Sequence, residues 1–210
     1  MKLALILASV LFVLSCNSEP KRVIFEERIS MEVVPDSLDG KNRRKFILLN
    51  SDPRDSIVEY FKIDGKEYAN QIWLVDKNND TIGGNYFKSL INDTTSLGEI
   101  TRLKFILIEP CISSESDMFI LLPRDDEKLA NDFSNIFKLE LDTMHSLQND
   151  GIPHPELSDL DLPLNHITEF GIEYGKPGKK RVRGVIIERG ELNGEGYERR
   201  IFFEKSFYIQ

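Results

Sequence analysis

Asp64-Gly65 stands between two runs of alternating apolar and polar residues, and that juxtaposition leaves the chain few folds to adopt. The pair accepts positive φ at both central positions of a two-residue turn, whose twist matches that of paired strands. Residues 57–63 put Ile57, Glu59, Phe61 and Ile63 on one face, with Val58 and Tyr60 on the other. Residues 67–75 return with the single tryptophan, Trp73. The two runs read as an antiparallel hairpin.

The same rhythm runs through most of the chain. Residues 23–34 are rich in β-branched and aromatic side chains and stop at Pro35-Asp36 and Asp39-Gly40, and 46–49 (FILL) stop at Asn50-Ser51-Asp52-Pro53. A turn at 77–80 leads into 81–87, where Gly83-Gly84 predicts a bulge. Residues 100–108 and 118–122 are apolar enough for buried strands, and 139–141 for a short one. A closing meander takes 166–174, 181–188 and 197–209, with turns at 175–178 and 193–196. In its last run Tyr197, Ile201, Phe203, Phe207 and Ile209 share a face, which predicts one packed side and one wet side. About ten strands joined by short turns predict a mainly β chain, an antiparallel sandwich of immunoglobulin-like or related type.

Two segments depart from this pattern. From Asp125, the apolar residues Leu129, Ala130, Phe133, Ile136 and Phe137 fall at helical spacing behind the acidic Asp125-Asp126-Glu127, which predicts one short amphipathic helix. Residues 145–165 carry three prolines, a glycine and several Asp and Asn. They read as a long loop, of a length that is uncommon unless the loop has a use, or as a division between subdomains.

The first residues say where the chain goes. Lys2 precedes an apolar run, 3–14, that is too short for a permanent span and suits an export signal. It ends in Val13-Leu14-Ser15-Cys16, which resembles the lipobox of bacterial lipoproteins. The resemblance implies removal of residues 1–15, a diacylglycerol on the Cys16 thiol, and an acylated new N-terminus. Two or three acyl chains hold a protein to a bilayer where one does so marginally. Asn17, in place of the Asp that retains such proteins at the inner membrane of some Gram-negative bacteria, implies the outer membrane. Residues 16–22 then form a short polar tether and 23–210 the mostly β domain.

Without residues 1–15 the formal charge falls from −8 to −9, since that segment carries only Lys2. So acidic a chain lacks the basic footprint of sequence-independent nucleic-acid binding. With Cys16 modified, Cys111 is the sole thiol and no intramolecular disulfide can form.

For chemistry, His145, His154, Glu156, Asp159, Asp161 and His166 in and beside the long loop are suitable ligand and acid–base types. Their spacing matches no compact metal motif, and Asp and Pro are ordinary turn residues. Cys111 has no nucleophile signature around it, and a lone cysteine near an apolar strand reads as packing. No catalytic, metal or cofactor-binding residue is assigned, so lipidated Cys16 is the one assigned site. The basic clusters at 41–45 (KNRRK) and 179–183 (KKRVR) read as a solvated face or as guards of an edge strand. Asp36-Ser37-Leu38, Asp55-Ser56-Ile57, Asp80-Thr81-Ile82, Asp93-Thr94-Thr95 and Asp142-Thr143-Met144 resemble the acceptor motif of a periplasmic O-glycosylation system of some Gram-negative bacteria. Asp-Ser and Asp-Thr also favour turns and strand starts, and both readings stand.

The expected function is that of a non-enzymatic envelope lipoprotein, held to the membrane by its lipid, whose loops meet a protein or glycan partner. The alternatives are a hydrolase or metal-dependent enzyme using residues 145–166, and an assembly protein that pairs through a sheet edge.

Overall fold

The computed structural model describes residues 56–78, 80–157 and 162–210, together with the backbone pairing of 29–30, 43–49 and 55. The export signal, Cys16, the tether, most of the 23–34 run, Asp36-Ser37-Leu38, Asp159 and Asp161 lie outside the described residues. The described chain is mainly β. The first sheet is an antiparallel meander in chain order: β1 (Ile29–Ser30), β2 (Arg43–Leu49), β3 (Asp55–Ile63), β4 (Lys66–Val75) and β5 (Thr81–Gly83). A three-stranded antiparallel sheet has β8 (Ile100–Ile108) between β6 (Tyr86–Ile91) and β11 (Ile167–Glu173). The third sheet runs β10 (Leu141–His145), β9 (Asp117–Pro123), β12 (Gly178–Leu192), β13 (Glu195–Ile209) and β7 (Thr94–Thr95). Only the β13–β7 pair in it is parallel.

Both hairpin signals act as their residues require. Asp64 and Gly65 take φ of 47° and 76°, and Asn193 and Gly194 take 54° and 79°. Positive φ at both central positions lets two strands continue from a two-residue turn. The second turn is therefore tighter than the four-residue loop expected at 193–196, and it joins strands of fifteen residues each. Their pairing runs unbroken from Leu192↔Glu195 to Gly178↔Ile209.

That hairpin is the centre of the molecule. Val182, Ile186, Ile201, Phe203, Phe207 and Ile209 pack with Leu103, Phe105 and Leu107 of β8, closing a sandwich between the second and third sheets. The rings of Phe105 and Phe203 approach to 4.7 Å between centroids. The opposite face is not wet, as the alternation suggested. Val185, Ile187 and Phe202 are covered by Phe61 of β3 and by Leu129, Phe133 and Ile136. A strand buried on both faces loses its polar alternation, and residues 182–188 are all buried.

The segment that covers this face is not the expected helix. It holds two single 3-10 turns, Asp126–Lys128 and Ile136–Lys138, with Phe133 between them at φ 60°. Its polar side chains take the backbone groups a helix would use. The Asn135 amide accepts from Ala130 N–H and donates to Lys128 C=O, both at 2.8 Å, and Asp132 accepts from Ser134 N–H at 3.1 Å. Arg183 then donates to the carbonyls of Asp126, Leu129 and Ala130, and to the Asp126 carboxylate at 2.9 Å. Of these carbonyls, those of Asp126 and Ala130 also accept from Leu129 and Phe133 N–H, at 3.1 and 3.0 Å, the three-residue spacing of 3-10 turns and not that of an α-helix.

A bulge in β4 docks the first sheet. Glu59 pairs with Gln71 and Tyr60 with Ala69, so Asn70 is the extra residue, and Asn70 and Gln71 are both buried. The Asn70 amide then imitates a strand neighbour. It donates to Phe202 C=O at 2.9 Å and accepts from Phe202 N–H at 2.7 Å. Gln71 Oε1 accepts from Phe87 N–H of β6 at 3.1 Å, and Asn85 C=O accepts from Ile72 N–H at 3.0 Å. Gly84, at φ 116°, makes that approach feasible, because a Cβ there would collide with the Ile72 carbonyl.

Candidate functional site

The long loop folds back on the three-stranded sheet and makes a groove with it. The loop is fastened at its start, where Leu147 N–H donates to Ile167 C=O at 2.8 Å and the Ser146 hydroxyl donates to the Asp117 carboxylate at 2.6 Å. Asp150 organises the next few residues. Its Oδ1 accepts from Ile152 N–H at 2.8 Å, and its Oδ2 lies 2.9 Å from His154 Nε2. The other imidazole nitrogen, Nδ1, lies 3.5 Å from Glu156 Oε1. Pro155–Leu157 forms a 3-10 turn after the histidine.

An imidazole with a carboxylate at each nitrogen favours its charged form. The Asp150 hydrogen bond, outweighing the cost of burial, raises the His154 pKa above 6.5. Burial acts to raise that of Asp150, but the Ile152 and His154 hydrogen bonds prevail and hold it below 3.8. The resulting stabilisation has opposite limits in pH. The His154 contribution is complete below 6.5 and is lost as pH rises through the raised value. The Asp150 contribution is present above 3.8 and is lost as pH falls through the lowered value.

The groove encloses about 610 Å³ between this loop and the outer face of β8 and β11. Ile100 and Ile152, 62% and 63% exposed, line it from the sheet and from the loop. Lys104 and Glu169, register partners on β8 and β11, neutralise each other at 2.8 Å. Arg102 sits opposite Gly171, where no side chain faces it. Among the described residues Arg102 forms no ion pair or hydrogen bond, and it is the one charged lining residue of which this holds.

The histidines do not converge. His154 lines the groove, while His145 lies on β10 with its ring 6.4 Å from that of Phe119. His166 is buried beside Ser116, its Nε2 3.2 Å from the Ser116 hydroxyl. Among the described residues no three His, Cys, Asp or Glu side chains are grouped to hold a metal ion.

Ser116, His166 and Glu188 have the composition of a hydrolytic triad without its geometry. The carboxylate touches the serine, at 3.0 Å, instead of orienting the histidine. The serine proton is taken by oxygen acceptors, Ser113 C=O or Glu188 Oε1, and burial lowers the His166 pKa. Ser116 and Glu188 are fully buried and His166 nearly so, which leaves no path for a substrate. The trio secures the connection between β8 and β9, since Glu188 also accepts from the N–H groups of Cys111 and Ile112.

Three other expectations change. Cys111 is exposed instead of packed, with its backbone N–H held by Glu188. Residues 179–183 lie on β12 beyond its pairing with β9 and so pair with β13 alone; Lys179 and Arg181 are exposed, while Arg183 is buried and Arg181 approaches Asp126 and Glu204. Side chains of the 41–45 cluster lie outside the described residues. Of the Asp-Ser/Thr hydroxyl positions, Ser56 is buried in β3, whereas Thr81, Thr94 and Thr143 are exposed.

Sequence reasoning misses Arg102 and Asp150. The signal for Asp150 is its spacing of four residues to His154 inside a proline-bounded loop. Arg102 is marked locally only as an outward position in the alternation of β8, and Gly171 arrives opposite it from a strand distant in sequence. Comparison with protein-family models, with curated proteins and with solved structures finds no match to this chain.

Proposed function

We propose that the chain is a non-enzymatic binding lipoprotein of the bacterial envelope, anchored through lipid on Cys16, with the groove beside the 146–157 loop as its contact site. The observation that carries the binding reading is the groove's charge pattern, in which every lining charge except Arg102 is satisfied internally. A site prepared for acid–base chemistry would aim its histidine at a substrate. Here both ring nitrogens of His154 are turned to carboxylates of its own loop. The anchor reading rests on residues 1–16, and among the described residues no helix is long and apolar enough to cross a membrane. The partner is a component of the envelope, and the outer membrane is the proposed location.

Intact mass and membrane fractionation of wild type beside Cys16→Ala, in a host that processes lipoproteins, test this reading. Wild type should gain the mass of its acyl groups and sediment with membranes, while the variant gains no lipid. Identical cleavage of both proteins, with both soluble, would contradict the anchor.

A further inference from the structure

We infer that the groove binds an aliphatic monocarboxylate, with Arg102 holding the carboxylate and Ile100 and Ile152 meeting the hydrocarbon. The inference rests on the binding reading above and names its ligand class.

The polar side chains of the lining leave one demand unmet. Lys104 is paired with Glu169, and His154 stands between Asp150 and Glu156. Arg102 alone offers an unengaged cation, and a guanidinium matches a carboxylate with two parallel hydrogen bonds. Among the lining carboxylates Glu169 and Asp150 are engaged at 2.8 and 2.9 Å, and Glu156, 65% exposed on its side chain, faces His154 at 3.5 Å, so a carboxylate on the ligand meets a freer partner here than a cationic group does. The remaining contact is apolar, from two isoleucines that are each more than half exposed. A body without polar groups fits such walls, and the volume of about 610 Å³ lies within the range of small-molecule sites. Gly171 stands opposite Arg102. The place its Cβ would take is filled by the Ile100 side chain, so a larger residue would push Ile100 into the groove.

The test is an isoleucine-methyl NMR titration of the full chain, held in a lipid nanodisc, with octanoate. Saturable shifts at Ile100 and Ile152 are expected, with affinity about tenfold weaker or worse in Arg102→Gln, the loss of a charge-assisted contact. Arg102→Lys should retain part of the affinity, and octylammonium should leave both methyls unmoved. Shifts that do not saturate, or that are equal in Arg102→Gln, would overturn the proposal as mere partition into the disc. A leucine-terminated peptide that moves these methyls while octanoate does not would overturn the ligand class and leave the groove as a binding site. Silence from every probe would remove the groove from the binding reading as well.

Discussion

Glu188→Ala lowers the unfolding free energy by about 3–5 kcal/mol, the scale for leaving a buried charge without its partner. Glu188 is fully buried on the central strand, directly opposite Arg199 in the register of β12 and β13. Its carboxylate accepts from Ile112 N–H at 2.8 Å, the Ser116 hydroxyl at 3.0 Å and Cys111 N–H at 3.1 Å. Arg199 Nη1 lies 3.7 Å away, and Arg199 Nη2 donates to Asn85 C=O at 2.9 Å and Asn70 C=O at 3.2 Å. One carboxylate thus ties the β8–β9 connection to the central hairpin, and through Arg199 to the strand that docks the first sheet. Alanine leaves two amides without an acceptor and a largely buried guanidinium without its counter-charge. Glu188→Gln keeps the shape and one acceptor, and should recover part of the loss. Urea unfolding at neutral pH measures both. A cost below about 1 kcal/mol for alanine, the ordinary value for a point substitution, would show that the network carries no weight.

Arg183→Ala is expected to cost about 3 kcal/mol and to loosen residues 124–140 before the rest of the fold. The Arg183 side chain is 1% exposed and donates to three carbonyls and one carboxylate of that segment. Asp126 is 32% exposed on its side chain and regains water when the partner goes, which holds the figure toward the lower end. The Leu129 carbonyl, buried at that contact, is less able to do so, while the Ala130 carbonyl keeps Phe133 N–H at 3.0 Å. Loss of their partner also releases Leu129, Phe133 and Ile136 from the face of Val185, Ile187 and Phe202. Hydrogen exchange should therefore quicken at the Leu129, Phe133 and Ile136 amides first. Unchanged protection there, with a stability loss under about 0.5 kcal/mol, would contradict this role for Arg183.

These two residues also mark where local reading of the chain stops. The hairpins at Asp64-Gly65 and Asn193-Gly194 are legible because the turn residues themselves supply the positive φ. The apolar runs of β8 and β9 are legible because a strand buried in a sandwich carries its own pattern. The stretch after Asp125 misleads because its helical spacing is real, while the carbonyls of its non-helical path are gathered by Arg183, more than fifty residues away. The bulge at Asn70 likewise shows its use only when Phe202 arrives beside it. The loop at 145–165 is legible as a loop from its prolines and glycine. Its chemistry is not, since three histidines close in sequence suggest one group and the fold sends them to three places. Polar residues whose partners are distant in sequence carry little local signal, and the first sheet is docked in part through such residues.

A binding groove at this place requires the 146–157 loop to be a formed wall, fastened by His154 between Asp150 and Glu156. Imidazole NMR titration of His154, with exchange of the Ile152 amide followed in parallel over about pH 5 to 9, tests that most directly. His154 is expected to titrate above its ordinary value of 6.5, with Ile152 protection lost as pH rises through that same point. A His154 that titrates at or below 6.5, beside an Ile152 amide that exchanges freely throughout, would mean that the loop is not fastened and the groove is not a built site.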